Sequence, residues 1–300
     1  MTLPSWLQAI VLGLIQGITE FLPVSSSGHL SIAPYLFRLQ QPTLAFGVLL
    51  HLATLMAVLA YFRHDLLFLV KGTLGLSSLP SQDHKRARMT VVLLAAGSVP
   101  AAIAGLMLES VIGDIFDDPR IAAGFLLVTA GLLLFAERLR SKRAASMFGD
   151  AAAAADPTLD DGRDEGTVTI KDAVVIGCAQ AVAIIPGVSR AGATMATGMA
   201  RGLTRTAAAR FSFLLSIPII AGAAALELTS LEANAFGAYS NSDAALASLA
   251  ALLSGYWAIR FLLRLVSTDD LRGFARYLII VSVLVLVGSI WLGPPDSLAL

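Results

Sequence analysis

The chain has 300 residues, 56% of them hydrophobic and 14% charged, and its Lys and Arg balance its Asp and Glu to a formal net charge of zero. A charged share so far below the roughly 25% of a soluble domain argues against a water-exposed globule and makes lipid the expected solvent, and the zero balance gives no reason to expect a nucleic-acid partner. The single Cys178 excludes a disulfide within the chain, speaks against a thiolate metal site and reads as a small buried hydrophobe.

Runs free of Asp, Glu, Lys and Arg at residues 3–19, 43–62, 90–108, 244–259 and 277–294 approach the ~20 residues that span a bilayer as helix. No Lys or Arg precedes Arg38, whereas a secretory signal opens on a positive segment, so the first apolar run is expected to stay in the mature protein. That run leads into Gln16-Gly-Ile-Thr-Glu20-Phe-Leu-Pro23-Val-Ser25-Ser26-Ser27-Gly28-His29. A carboxylate, three hydroxyls and an imidazole within ten residues are costly in hydrocarbon unless they line a hydrated cavity or pair with one another. Gln16 and Glu20 are four apart and share a helical face, where two oxygen-bearing side chains suit a hard divalent cation together with phosphate oxygens. Pro23 and Gly28 interrupt the helix and leave N–H groups free for an anion. His51, inside the next run, reads as structural or cavity-lining and is left out of this site.

Residues 63–76, apolar but bracketed by charge, are expected to form an interfacial helix. Crossings follow near 90–108 and 121–137, then a polar stretch from Ser141 to Lys171 that holds Asp150, an alanine run, Asp156, Asp160, Asp161, Asp164 and Glu165 and reads as a mobile cytoplasmic linker. Basic residues gather at Arg63–Arg88, Arg138–Arg143, Arg201–Arg210 and Arg260–Arg276, and these segments are placed in the cytoplasm. The alternate connections, with Glu109, Asp114, Asp117 and Asp118 in one and Glu227, Glu232 and Asp243 in the other, are placed outside.

Threading this alternation predicts an all-α integral membrane protein with six transmembrane helices near 43–62, 90–108, 121–137, 211–228, 244–262 and 277–293. Two segments, 3–40 and 173–203, must each begin and end on one side, so they are predicted to be re-entrant hairpins. They also match: Gly13 and Gln16 with Gly177 and Gln180, then Val24, Ser25 and Gly28 with Val188, Ser189 and Gly192, all 164 residues apart. The reading is an internal duplication, residues 1–140 and 172–300 joined by the 141–171 linker. Three crossings per copy is odd, so the copies face opposite ways in an inverted-topology repeat, a plan whose sites lie between the repeats near the midplane.

The second hairpin contains Pro186-Gly187-Val188-Ser189-Arg190-Ala191-Gly192-Ala193-Thr194. A lone guanidinium suits fork-like recognition of phosphate oxygens, and glycine-rich backbone before a helix start adds N–H donors. Each residue also has a plainer role. Glu20 and Arg190 would form a structural ion pair, Ser25, Ser26 and Ser27 would cap a helix, and His29 would be a bonded packing residue. The coincidence of all these residues in two matching places favours function. An inverted-repeat transporter or channel for an anionic substrate is the rival that composition leaves open.

The motifs Glu20-Phe-Leu-Pro-Val-Ser-Ser-Ser-Gly-His29 and Pro186-Gly-Val-Ser-Arg-Ala-Gly-Ala-Thr194 resemble the two signatures of the undecaprenyl-diphosphatase family of the bacitracin-resistance type, over nearly the whole chain apart from the linker. The resemblance implies hydrolysis of the terminal phosphate of the lipid substrate undecaprenyl pyrophosphate in the bacterial inner membrane, and is compatible with a homodimer; because the first hairpin is placed as entering from outside, the pocket is expected to open to the periplasmic or extracellular side. It places Mg²⁺ or Ca²⁺, or support of a general base, at Gln16 and Glu20, a nucleophile at Ser26 and its proton-transfer partner at His29. Ser189, Arg190 and Thr194, with Ser25 and Ser27, fall to phosphate binding. Direct attack by water fits the same residues. Ala191 departs from the family, where a second serine is common. The type-2 phosphatidic-acid phosphatases share Ser27-Gly28-His29 but need a histidine where this chain has Ala196, and that reading is set aside.

Overall fold

Leu, Ala, Val and Ile dominate the apolar runs, and in a lipid setting such runs close their own backbone hydrogen bonds as helix. The structure, a computed structural model, describes residues 3–76, 79–116, 118–150, 162–227 and 235–292. In chain order the helices are α1 (Ser5–Phe21), α2 (Ser26–Phe37), α3 (Leu44–Tyr61), α4 (Arg63–Leu74), α5 (Ser81–Phe116), α6 (Pro119–Phe148), α7 (Ile170–Val182), α8 (Arg190–Ala200), α9 (Arg205–Glu227), α10 (Asn241–Val266) and α11 (Arg272–Leu292), with a 3₁₀ turn at Glu165–Thr167. Among the described residues there is no strand, only a bridge between Arg163 and Leu203.

Six helices are long and apolar enough to cross a membrane, at Leu44–Tyr61, Ser81–Met107, Pro119–Phe148, Arg205–Leu226, Asn241–Val266 and Arg272–Ile290, and each overlaps one of the expected crossings. The chain is a multi-pass membrane protein. The helices between the crossings are shorter: at 1.5 Å per residue, α2, α7 and α8 reach about 16–20 Å, well short of the ~30 Å hydrocarbon layer.

Packing is governed by small residues. Helix α1 lies along α10 and α7 along α5, and both contacts bring backbone against backbone. A Cβ on Gly13 would overlap the carbonyl of Ala247, one on Gly17 the hydroxyl of Ser254, and one on Gly177 the carbonyl of Gly97. Close approach of this kind is what holds helices together where lipid removes the hydrophobic drive between them. At the basic end two ionic clamps tie the bundle. Buried Glu137 accepts from Arg205 through both carboxylate oxygens at 2.8 Å and from the Leu271 N–H at 3.0 Å. Asp172 accepts from Arg163 at 2.8 Å and Arg201 at 2.9 Å, joining the start of α7 to the end of α8. Although burial alone would raise its pKa, the bonds from Arg163, Thr169 and Arg201 hold the carboxyl well below the usual range. This clamp is therefore charged at neutral pH, and its contribution fades only as the medium is acidified through the ordinary carboxylate range and below.

Three expectations change. Helix α6 continues to Phe148, through the start of the expected linker, because residues 138–148 hold no Gly or Pro and are mostly good helix formers, and it stops at the Gly149 cap. Residues 162–169 are tied down, Arg163 to Asp172 and Glu165 to Arg210 at 2.8 Å. Cys178 is exposed on the outer surface of α7. Asp117, Asp156, Asp160, Asp161 and Glu232 lie outside the described residues.

Candidate functional site

Helix α1 ends at Phe21, one residue after buried Glu20, and α2 begins at Ser26. The turn between them depends on Ser25, which adopts φ 72° and ψ 102°. A left-handed backbone costs a non-glycine residue about 1–3 kcal/mol and persists only where its surroundings impose it. Here it lets the Ser25 hydroxyl accept from the Gly28 N–H at 3.2 Å, the helix-capping role, and folds the first turn of α2 back over the end of α1. The Ser26 hydroxyl consequently donates to Glu20 Oε2 at 2.5 Å. Gln16 donates to the same oxygen at 3.2 Å, and its own Oε1 is buried with no hydrogen-bond donor. Ser27 meets the Ser25 hydroxyl at 3.3 Å.

The second tip repeats the capping device. Ser189 accepts from the Gly192 N–H at 3.0 Å, so Arg190 opens α8. Thr129 on α6 holds the preceding turn, accepting from the Ser189 N–H at 2.9 Å and donating to the Gly187 carbonyl at 3.3 Å. Arg190 then reaches across to donate to Glu20 Oε1 at 2.6 Å and to the Ser212 carbonyl at 3.5 Å. The two tips touch: a Cβ built on Gly28 would lie 3.2 Å from the Gly187 Cα.

Gly187 itself has φ +88°, and a Cβ there would overlap the carbonyl of Ala122. Gly187→Ala is expected to destabilise the protein by about 2–4 kcal/mol, combining left-handed backbone strain with overpacking. Thermal unfolding in detergent checks this against Gly124→Ala, whose added Cβ meets open space. Equal midpoints for the two variants would show that the tip tolerates the methyl.

The expected site residues therefore converge, but not all in the expected way. Glu20, Ser26 and Arg190 form one chain of bonds, and the ion pair that was the plainer alternative for Glu20 and Arg190 is part of it. His29 does not reach Ser26. Its Nδ1 faces the Ser25 carbonyl at 2.8 Å, and since a carbonyl only accepts, that nitrogen carries the hydrogen; Nε2 then accepts from the Tyr277 hydroxyl at 2.8 Å. Ser26 is left to Glu20 as proton acceptor. Ser189 and Thr194 are each 1% exposed, and their hydroxyls are used internally, Ser189 as a cap and Thr194 in bonds to the Arg190 carbonyl at 2.7 Å and the Ser212 hydroxyl at 2.6 Å. They hold the backbone from which Arg190 projects.

Sequence reasoning missed Thr129, Ser212 and Tyr277, and it read His51 as structural or cavity-lining. The first three are ordinary polar residues in crossings and carry no signal of their own. His51 did carry one, an imidazole inside an apolar run, and its Nε2 stands 3.6 Å from Glu20 Oε2.

Beyond Glu20, Phe21 meets Phe213 edge to face and Phe213 meets Phe62 tilted, with ring centroids 5.6 and 6.1 Å apart and all three rings fully buried, and the Arg210 guanidinium lies over the Phe62 ring. Arg210 pairs with Asp65 at 2.6 Å and lines a separate cavity of about 350 Å³ with His64, Arg86 and Glu165.

Residues 9–284 match the family model described as bacitracin resistance protein BacA. The chain is 42% identical to an undecaprenyl-diphosphatase of Moorella thermoacetica over 95% of its own length and 98% of that protein's. It is 41% identical to one of Rubrobacter xylanophilus, covering 93% and 96%, and 39% identical to one of Granulibacter bethesdensis, covering 91% and 93%.

Proposed function

The chain belongs to the bacitracin resistance protein BacA family, and from that premise we propose that it is an undecaprenyl-diphosphatase whose chemistry takes place where the two tips meet. It removes the terminal phosphate of undecaprenyl pyrophosphate and returns undecaprenyl phosphate, the lipid carrier of cell-wall synthesis. The observation that carries the assignment of the site is the chain from Arg190 through Glu20 to Ser26, bonded at 2.6 and 2.5 Å across two segments 170 residues apart.

The chemistry follows from the donors. Arg190, freed to turn its fork towards an incoming pyrophosphate, and the first-turn N–H groups of α2 and α8 offset charge on the transferred phosphoryl group, where most catalysis of this class arises. Ser26 Oγ attacks the terminal phosphorus while Glu20 takes its proton. The anhydride P–O bond breaks and undecaprenyl phosphate leaves. Water then cleaves the phosphoserine, releasing inorganic phosphate and restoring the Ser26 hydroxyl. The apolar groove of about 380 Å³ between α3 and α10, lined by Leu49, Leu52, Ala53, Met56, Leu249 and Leu252, offers the isoprenoid tail a seat.

A divalent cation fits this site on one specific ground: Gln16 Oε1 is a buried oxygen lacking any donor, one helical turn from the Glu20 carboxylate. Gln16 and Glu20 would hold the ion, and when bound it neutralises phosphate charge. Among the described residues no three His, Cys, Asp or Glu side chains gather as a metal cage.

The paired packing supports an inverted repeat built on two re-entrant hairpins. Gly13 against Ala247 and Gly177 against Gly97 are matched backbone approaches, and the Ser25 and Ser189 caps are matched turns. The charge alternation supports a pocket facing the periplasmic or extracellular side. The rival, transport of an anion, does not explain a hydroxyl bonded to a carboxylate beside the guanidinium. Purified protein in detergent is expected to release inorganic phosphate from a prenyl pyrophosphate; vesicle uptake of that lipid with no phosphate released would overturn the hydrolase reading.

A further inference from the structure

We infer that Tyr277 is a positioning residue for the reaction: through its hydrogen bond to His29 it holds the strained Ser25 turn in the shape that presents the Ser26 hydroxyl to Glu20. The inference rests on the hydrolase reading of that site.

The chain of contacts is short. Tyr277, on α11, and His29, in the first turn of α2, meet at 2.8 Å across 248 residues of sequence. The other ring nitrogen of His29 donates to the Ser25 carbonyl at 2.8 Å, and the His29 backbone N–H donates to the same oxygen at 3.2 Å. Ser25 has φ 72°, a backbone that persists in a non-glycine residue only where its surroundings impose it. Those two donors converge on its carbonyl, and the Gly28 N–H binds its hydroxyl. Two of the three are fixed in the helix backbone, and only the imidazole can rotate away.

Tyr277 keeps it from rotating. The two rings lie nearly parallel, 6° apart with centroids at 5.7 Å, and the phenol hydroxyl occupies Nε2. The brace is independent of the proton count on the imidazole. A neutral ring accepts from the Tyr277 hydroxyl, an imidazolium donates to it, and Nδ1–H reaches Ser25 in both.

The place of α11 fits this role. Ser282, on the same helix, donates to the Ala123 carbonyl of α6 at 2.7 Å, and α6 in turn holds the second tip through Thr129. The pair α6 and α11 therefore carries one polar fastening for each tip, Thr129 for the turn ahead of Arg190 and Tyr277 for the turn ahead of Ser26. Tyr277 is 43% exposed, so core packing does not account for a phenol at this point.

Without the hydroxyl, Nε2 is left to water or to the incoming pyrophosphate, the imidazole swings from the Ser25 carbonyl, and Ser25 relaxes towards an ordinary φ. Ser26 Oγ then moves off Glu20, and a displacement of about 1 Å at a reacting group costs on the order of 10²-fold.

Tyr277→Phe keeps the ring and removes only the bond. In full-length protein in detergent, with a prenyl pyrophosphate as substrate, kcat is expected to fall about 10–10²-fold while KM stays within about twofold, with thermal unfolding close to that of wild type. His29→Phe supplies the second arm: with no ring nitrogen left to brace, adding Tyr277→Phe is expected to cost at most about twofold more. Wild-type kcat in Tyr277→Phe overturns the inference, as does a raised KM with kcat intact, which would make Tyr277 a contact of the lipid itself. An equal fold-loss in both backgrounds overturns it as well, because the hydroxyl would then act without His29. Each of these outcomes leaves the hydrolase reading standing, whereas a wild type that releases no phosphate ends both.

Discussion

Arg190→Ala is expected to lower kcat/KM for a prenyl pyrophosphate by about 10³–10⁴-fold. A single preorganised donor to a developing oxyanion is worth about 10²–10³, and the guanidinium is a charged fork that contributes two such bonds. Part of the loss arises differently, because removing Arg190 strips Glu20 of its cation. An uncompensated buried carboxylate costs about 3–5 kcal/mol of stability or takes up a proton, and a protonated Glu20 no longer accepts from Ser26. Arg190→Lys separates these effects. It keeps the positive charge beside Glu20, so folding should be close to normal, yet it lacks the planar fork and should still lose on the order of 10–10²-fold. Steady-state kinetics beside thermal unfolding checks the pair. A folded Arg190→Lys protein with wild-type kcat/KM would reduce the guanidinium to a structural brace.

Ser26→Ala separates attack by serine from direct attack by water. If the hydroxyl is the nucleophile, its loss should cost on the order of 10⁴-fold or more in kcat, and rapid acid quench of wild type should trap phosphate on Ser26. If water attacks directly, the alanine variant should keep activity within about tenfold and no phosphoserine should form. Glu20→Gln, which preserves shape but cannot take the proton, is expected to lose about 10²–10⁴-fold. His29→Gln should lose less than Glu20→Gln, because the ring nitrogens of His29 are bonded to Ser25 and Tyr277 and not to Ser26. The reverse order would restore His29 as the proton acceptor.

The crossings were legible because lipid makes a run of apolar residues nearly synonymous with a spanning helix. The two tips were legible because polar side chains in hydrocarbon are costly enough to need a reason. The bonding inside the site was hidden. Whether Ser26 turns to Glu20 or His29 depends on the backbone of Ser25, where a left-handed serine folds one helix back over another, a conformation no spacing rule anticipates. His51 was legible as structural or cavity-lining, but its place 3.6 Å from Glu20 comes from the packing of α3 against α1. Glu137 stood at the end of the apolar run, but a helix outlasts the apolar run that seeds it, and the pairing of Glu137 with Arg205, 68 residues away, was not legible. The Ser189 and Thr194 hydroxyls were legible as polar, but their bonds to the backbone of α8 were not.

The three buried phenylalanines next to Glu20 bear on the cell's energy supply. An energised membrane drives each elementary charge with about 2.3 kcal/mol per 100 mV, and a wet ionic pocket sunk into it is half of a short circuit. Phe21, Phe213 and Phe62 interpose a dry, polarisable partition between the carboxylate of that pocket and the charged cluster around Arg210. If turnover takes place at Glu20, the three buried rings offer its protons no polar relay towards Arg210, and the ionic pocket stays half of a circuit that is never closed.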